Sequence, residues 1–214
     1  MIGVFITFEG GEGSGKSTQI ARLAERLLSS GRRARVLREP GGTRLGEAVR
    51  EILLDASHDA VSPRCELLLY EAARAQLVDE VIRPALEAGE IVLCDRFSDS
   101  STAYQGHARG LSLSEIEALN GFATGGLVPD RTLYFDISAE EGLRRATRGG
   151  AADRLEREDA AFHERVRDGF LAIAAASPER LRVVDATGTV EEVASRVDAE
   201  LADLLAGEVP EGGA

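Results

Sequence analysis

Nine residues near the amino end, Gly10-Gly11-Glu12-Gly13-Ser14-Gly15-Lys16-Ser17-Thr18, follow the spacing G-x-x-x-x-G-K-[ST]. These residue types in this order bind polyphosphate. Glycines let the backbone curl until its N–H groups point inward, Lys16 reaches the outer phosphates, and the Ser17 hydroxyl can ligate Mg²⁺. A Gly-rich turn with a chance lysine would share the composition but not the flanks. Ile2, Val4, Ile6 and Phe8 read as a buried strand ending at Glu9, and Ile20, Leu23, Ala24, Leu27 and Leu28 recur at helical spacing after Lys16. Further along stand Arg38, Arg50, Arg74 and Arg96, whose guanidinium groups suit anions.

Elements must bring these residues together. Residues 34–37 form a short strand that delivers Arg38-Glu39-Pro40-Gly41-Gly42-Thr43 to its end, and 45–54 return to helical spacing. Residues 58–63 are a polar connection, and 66–82 form a longer helix that stops near Pro84 and Gly89. A third strand at 91–94 ends at Asp95-Arg96. Residues 98–110 are polar and Gly-flanked, and 112–122 are helical with Ser112 as N-cap. Strands at 132–135 and 181–184 alternate with helices at 139–148, 160–176 and 190–205, and the tail 207–214 is expected to be disordered. Alternating strand and helix predicts an α/β fold: a three-layer P-loop NTPase architecture whose five-stranded parallel sheet is flanked by helices, with ligands at the carboxyl ends of the strands. One domain is expected over residues 1–206.

With 214 residues, 43% of them hydrophobic, the chain can bury a substantial core. A net charge of -12 argues against a general nucleic-acid or membrane surface, so an anion site has to be built locally. Cys65 and Cys94 are far apart and form no C-x-x-C pair; buried free thiols are the expectation. The opening apolar run is too short to span a bilayer and has no basic leader, which points to the cytoplasm.

Switches, motors and kinases share the phosphate loop. A GTPase switch should carry D-x-x-G soon after the loop and N-K-x-D, but the one D-x-x-G runs from Asp185 to Gly188 and N-K-x-D is absent. A motor ATPase should end its strand in Asp-Glu, where this chain has Asp95-Arg96. The residues Phe8-Glu9-Gly10 through Thr18, the hexapeptide from Arg38 to Thr43, Ala72-Ala73-Arg74, Asp95-Arg96 with residues 100–106, and Asp153-Arg154-Leu155-Glu156 resemble bacterial thymidylate kinases. The resemblance extends from Ile2 to about Leu205. It implies transfer of the γ-phosphoryl of ATP to dTMP with Mg²⁺, in a homodimer.

The resemblance also implies roles. Residues matching Arg38 and Arg96 lie at the acceptor monophosphate, and the one matching Arg74 hydrogen-bonds the thymine edge. The ring matching Tyr70 stacks on the base; Tyr70 stands four residues before Arg74 on one helical face, though core filling would explain it equally. Ser101 resembles the position at the base N3 edge, Tyr104 the ring that crowds the sugar 2′ side, and Glu12 the acid at the 3′-OH. Arg50 has Glu47 and Glu51 close by on its helix, which could hold it instead. Ser17 is the expected Mg²⁺ ligand, with Asp95 behind it or reached through water.

One subgroup of the family carries an arginine at the position of Gly13. Its absence here moves the catalytic arginine elsewhere, and a short mobile lid at 148–157, around Gly149-Gly150-Ala151-Ala152, offers Arg148 and Arg154. Arg144 and Arg145 each follow a glutamate four residues back, Glu140 and Glu141, and read as surface ion pairs. His58, His107 and His163 have no partner constellation and read as surface residues; the acceptor, a phosphate oxygen, needs no base. The nearest alternatives are a kinase for dUMP or UMP and an inactive, regulatory nucleotide-binding protein.

Overall fold

A computed structural model describes residues 3–55, 61–146, 154–155 and 157–206. Strands β1 (Val4–Gly10), β2 (Ala34–Arg38), β3 (Ile91–Asp95), β4 (Arg131–Asp136) and β5 (Leu181–Asp185) form one parallel sheet in the order β2-β3-β1-β4-β5. All five expected strands are present, with their ends shifted by a residue or two.

Alternation along the strands sends side chains to opposite faces, and each face has its own helices. Ile6, Phe8, Leu93, Leu133 and Phe135 pack with α1 (Lys16–Ser29) and α9 (Val190–Leu205). Phe5, Val92 and Cys94 face the other way, onto Leu77, Val78 and Ile82. These last residues belong to one continuous helical rod: α3 (Pro63–Leu77), a π-helical turn Val78–Ile82, and α4 (Arg83–Glu87). The rod starts three residues earlier than its apolar pattern, because Ser62 caps the Cys65 N–H and Pro63 occupies the first turn.

Residues 98–110 are not an irregular loop. α5 (Ser98–Ser101) continues into a π-helical segment Thr102–Ala108, where Ala103, Tyr104, Gln105 and Ala108 are buried. Ala103, Tyr104 and Ala108 pack with Phe162, Val166 and Phe170 of α8 (Ala160–Ala176). Close approach requires Gly169, where a Cβ would lie 2.8 Å from His107 Cβ. Tertiary packing overrides local polarity here. α2 (Arg44–Leu54) is capped by Thr43, whereas Ser112 stands at the start of α6 (Leu113–Thr124) without capping it and meets Ser114 Oγ at 3.0 Å instead.

α7 (Ala139–Ala146) follows β4. Arg148, residues 149–152 of the expected lid, His58 and the tail 207–214 lie outside the described residues. Among the described residues no helix is long and apolar enough to cross a membrane. The register levels the strand ends: Phe8 and Arg38 both pair with Asp95. The loops after β1, β2 and β3 therefore leave the sheet side by side.

Candidate active site

The loop after β1 runs directly into α1. Gly15 precedes the helix with φ 89 and no side chain caps it, so the first N–H groups of α1 stay open to an anion. Gly10 has φ 149, and a Cβ there would lie 2.8 Å from the Phe135 carbonyl. Lys16 Nζ donates to the carbonyls of Gly10 and Gly11, each at 3.0 Å. Burial, with Arg96 adding to it, pushes the Lys16 pKa down, so a phosphate would be a better partner than those carbonyls.

Ser17 Oγ donates to Asp95 Oδ2 at 3.2 Å, and Asp95 Oδ1 is buried with no partner. Two hard oxygens beside a phosphate loop fit Mg²⁺, which keeps several waters and takes its other ligands from phosphates. No group of three or more His, Cys, Asp or Glu among the described residues could hold a metal by itself.

Over the loop lies a cleft of about 490 Å³. Residues 12–18 line one side, and Arg38, Arg50, Tyr70, Arg96, Ser101 and Tyr104 line the other. With Asp95, fourteen of the expected site residues meet in this one space, at the carboxyl ends of the strands. Gly10 and Gly11 sit beneath the loop, contributing the carbonyls that hold Lys16.

Arg96 is the link between the two sides. Its backbone has φ 70, the one non-glycine residue with positive φ among those described, and its Nη2 donates to Glu12 Oε1. Its guanidinium carbon lies 5.1 Å from the centre of the Tyr104 ring. Burial opposes ionisation of Glu12, but Arg96 and Lys16 outweigh it and hold the carboxyl below its usual range. Burial pushes the Tyr104 phenol up to about 12, so it stays protonated.

Arg74 does not line the cleft. It is buried beneath it, donating to Glu39 at 2.9 Å, Glu71 at 2.6 Å, Ser101 at 3.0 Å, Asn120 at 2.9 Å and the Phe97 carbonyl at 3.1 Å. In this conformation Ser101, not Arg74, presents the polar surface at that point. The reason is the pair of carboxylates that flank the guanidinium: Glu71, three residues earlier on the same helix, and Glu39, which only the fold brings close.

Other arginines also differ from expectation. Glu47 takes Arg38 at 2.9 Å, while Arg50 donates to the Pro40 carbonyl at 2.9 Å, so α2 holds Arg38 more directly than Arg50. Arg144 pairs with Glu141 at 2.6 Å rather than with Glu140. Arg145 meets Glu141 at 2.8 Å and the Ala186 carbonyl at 3.2 Å, yet it also lines the cleft and is no mere surface pair. Arg154 is held away from the phosphate loop, with Nη1 2.6 Å from Glu66 and Nε donating to the Leu53 carbonyl. His163 lies on α8 and is buried, with an unpartnered Nε2, and Cys65 is exposed although Cys94 is buried.

Sequence reasoning assigned no role to Glu9, Glu39 or Gln105. Glu9 accepts from Phe97 N at 2.8 Å and Ser100 Oγ at 2.6 Å; burial, then Asp99, lifts its pKa to about 8. Burial lifts Glu39 to about 7 despite Arg74. Glu39 and Gln105 both line the cleft. Their signal was present for Glu9 and Glu39, each of which stands at the end of a strand inside a quoted motif.

A parallel sheet whose central strand feeds a phosphate loop, facing a second basic pocket, defines the P-loop nucleotide-kinase class. Within that class the chain belongs to the thymidylate kinase family, whose family model, described as thymidylate kinase, matches residues 8–197. It is similar to the thymidylate kinase of Geobacter sp. (strain M21), 54% identical over 206 residues, covering 94% of this chain and 92% of the relative. The thymidylate kinase of Deinococcus radiodurans is 52% identical over 201 residues, covering 94% and 97%. That of Synechococcus sp. (strain JA-3-3Ab) is 52% identical over 207 residues, covering 97% and 99%.

Proposed function

We propose that this enzyme transfers the γ-phosphoryl of ATP to dTMP, giving ADP and dTDP, and that the residues around the cleft divide between donor and acceptor. One observation carries the reading: the Glu12–Arg96 bond joins the phosphate loop to an acceptor pocket lined by Arg38, Tyr70, Ser101 and Tyr104. Membership of the thymidylate kinase family supports dTMP as the acceptor.

In the transfer, an acceptor phosphate oxygen forms a bond to the γ-phosphorus as the bond to the β–γ bridging oxygen breaks, and that electron pair leaves on ADP. The attacking oxygen is already ionised, so no side chain has to remove a proton. Residues 12–18 and the N–H groups of α1 cradle the donor phosphates, and Lys16 exchanges its loop carbonyls for them. Ser17 would hold Mg²⁺, with Asp95 behind it, and the ion would supply positive charge to the donor phosphates. Arg96 and Arg38 hold the acceptor phosphate, and Arg96 stays aligned because Glu12 and the Tyr104 ring grip it from two sides.

Tyr70 supplies the flat surface for the base, with Ser101 at its polar edge and Arg74 fixing Ser101 from below. Arg145 is the described arginine on the lid-side helix that lines the cleft, and it replaces Arg154 as a source of transition-state charge; Arg148 remains a second source. A homodimer and a cytoplasmic location complete the reading. The direct test is chromatographic detection of dTDP and ADP from dTMP and ATP with Mg²⁺; ADP appearing without dTDP would reject the acceptor assignment.

A further inference from the structure

Glu66, fully buried at the start of α3, collects side chains from three directions. Its Oε1 accepts from Gln105 at 2.8 Å and Arg109 Nε at 3.2 Å. Its Oε2 accepts from Arg109 Nη2 at 3.2 Å and lies 2.6 Å from Arg154 Nη1. Burial opposes the charge, but hydrogen bonds from Arg109 and Gln105 and the fields of both arginines hold the carboxyl below its usual range. Nothing in the transfer chemistry uses this group.

Its neighbours explain why it matters. Gln105 lines the cleft, and Tyr70, one helical turn after Glu66, lines it too. On the far side, Arg154 is fixed twice, by Glu66 and by the Leu53 carbonyl. The residues that follow these two contacts, Leu155 and Leu54, both face the cleft. In each pair one residue anchors and the next presents an aliphatic side chain to the cavity. Arg109 adds a second tie, 2.6 Å from Glu158.

We propose that Glu66 is a positioning residue for the acceptor pocket: by holding Arg154 it sets Leu155 as the apolar wall opposite Tyr70, and by holding Gln105 it sets the adjoining polar surface. This rests on the reading of the cleft as the dTMP site. Glu66 touches neither substrate. Its loss therefore weakens acceptor binding and leaves phosphoryl transfer nearly intact, the opposite of losing a transition-state arginine.

The test is steady-state kinetics on the full chain for Glu66→Gln, Arg154→Met, Arg154→Lys, Leu155→Ala and the Glu66→Gln/Arg154→Met double variant, each checked for folding by thermal unfolding. Glu66→Gln, Arg154→Met and Leu155→Ala should each raise KM for dTMP about tenfold, with KM for ATP and kcat changed by less than about threefold. The double variant should be no worse than the worse single variant, because the Arg154 substitution acts through the contact that Glu66→Gln has already weakened. Arg154→Lys should recover most of the loss. If Glu66→Gln does not fold, the Arg154 pair and Leu155→Ala decide. A fall in kcat of about 10²-fold in Arg154→Met with unchanged KM for dTMP overturns the proposal in favour of a catalytic Arg154. Unchanged KM for dTMP in Leu155→Ala overturns it as well. Wild-type protein without dTMP turnover overturns the proposed function and this inference together; active wild type with unaffected variants overturns this inference alone.

Discussion

Arg96 Nη2 donates to Glu12 Oε1 across 84 residues of sequence, so the residue that follows β3 fixes an acid inside the phosphate loop after β1. The phosphate loop and the loop after β3 are thereby joined by one hydrogen-bonded ion pair. Arg96→Lys keeps the charge but loses the fork that meets Glu12 while reaching a phosphate. kcat/KM for dTMP should fall by about 10²-fold, while ATP affinity, measured by equilibrium titration, changes by less than about threefold. An equal loss of ATP affinity would place Arg96 at the donor instead.

The two arginines near the end of α7 should behave differently although they are adjacent. Arg144 is largely exposed and pairs with Glu141, so Arg144→Ala should be nearly silent. Arg145 lines the cleft, and Arg145→Ala should lower kcat by about tenfold or more with little change in KM for dTMP. Single-turnover rates decide the matter. A sensitive Arg144 beside a neutral Arg145 would refute the assignment.

Tyr104 is buried against Arg96 and lines the cleft. If its ring crowds the sugar 2′ position, Tyr104→Ala should raise the turnover of ribo-TMP relative to dTMP, by about tenfold for a removed steric barrier. The absolute rate on dTMP should drop as well, since Arg96 loses one of its supports. An unchanged ratio of the two substrates removes Tyr104 from the sugar pocket.

Glu9 gives stability a distinctive pH dependence. Burial, then the charge of Asp99, raises its pKa from the ordinary 4.5 to about 8. Between those values the folded protein keeps a proton that the unfolded chain has released. The stability from protonated Glu9 is therefore complete below pH 4.5 and is lost as pH rises through about 8. Glu9→Gln keeps an acceptor for Phe97 N–H but has no proton to lose. The Tm difference between variant and wild type should rise in the variant's favour from pH 5.5 to pH 8.5 in thermal melts. A difference that does not change with pH would mean that Glu9 does not titrate in this window.

The sequence carried the sheet and most of the cleft because both rest on short-range patterns. Apolar runs ending at Glu9, Leu37 and Cys94 locate three adjacent strand ends, and a parallel sheet puts whatever follows them at one edge. The misread features depend on partners far away in sequence. Arg74 looked like a free donor because Glu39, 35 residues earlier, and Asn120, 46 later, become its acceptors only in the fold. Arg154 looked like a lid cation because its partner Glu66 is far away in sequence, on α3. The polarity of residues 98–110 concealed a buried helical segment whose apolar side is completed by α8.

Acceptor preference tests the central claim most directly. Initial rates with saturating ATP and Mg²⁺ should be measured for dTMP, dUMP, UMP and CMP in one coupled assay, with ADP formation as the readout. The Tyr70 platform, the Ser101 edge and the Tyr104 ring predict the highest kcat/KM for dTMP, a smaller value for dUMP, which lacks one methyl group worth about 10- to 200-fold at most, and far lower values for UMP and CMP. Equal or higher kcat/KM for UMP or CMP, or no turnover with any of the four, would contradict the account.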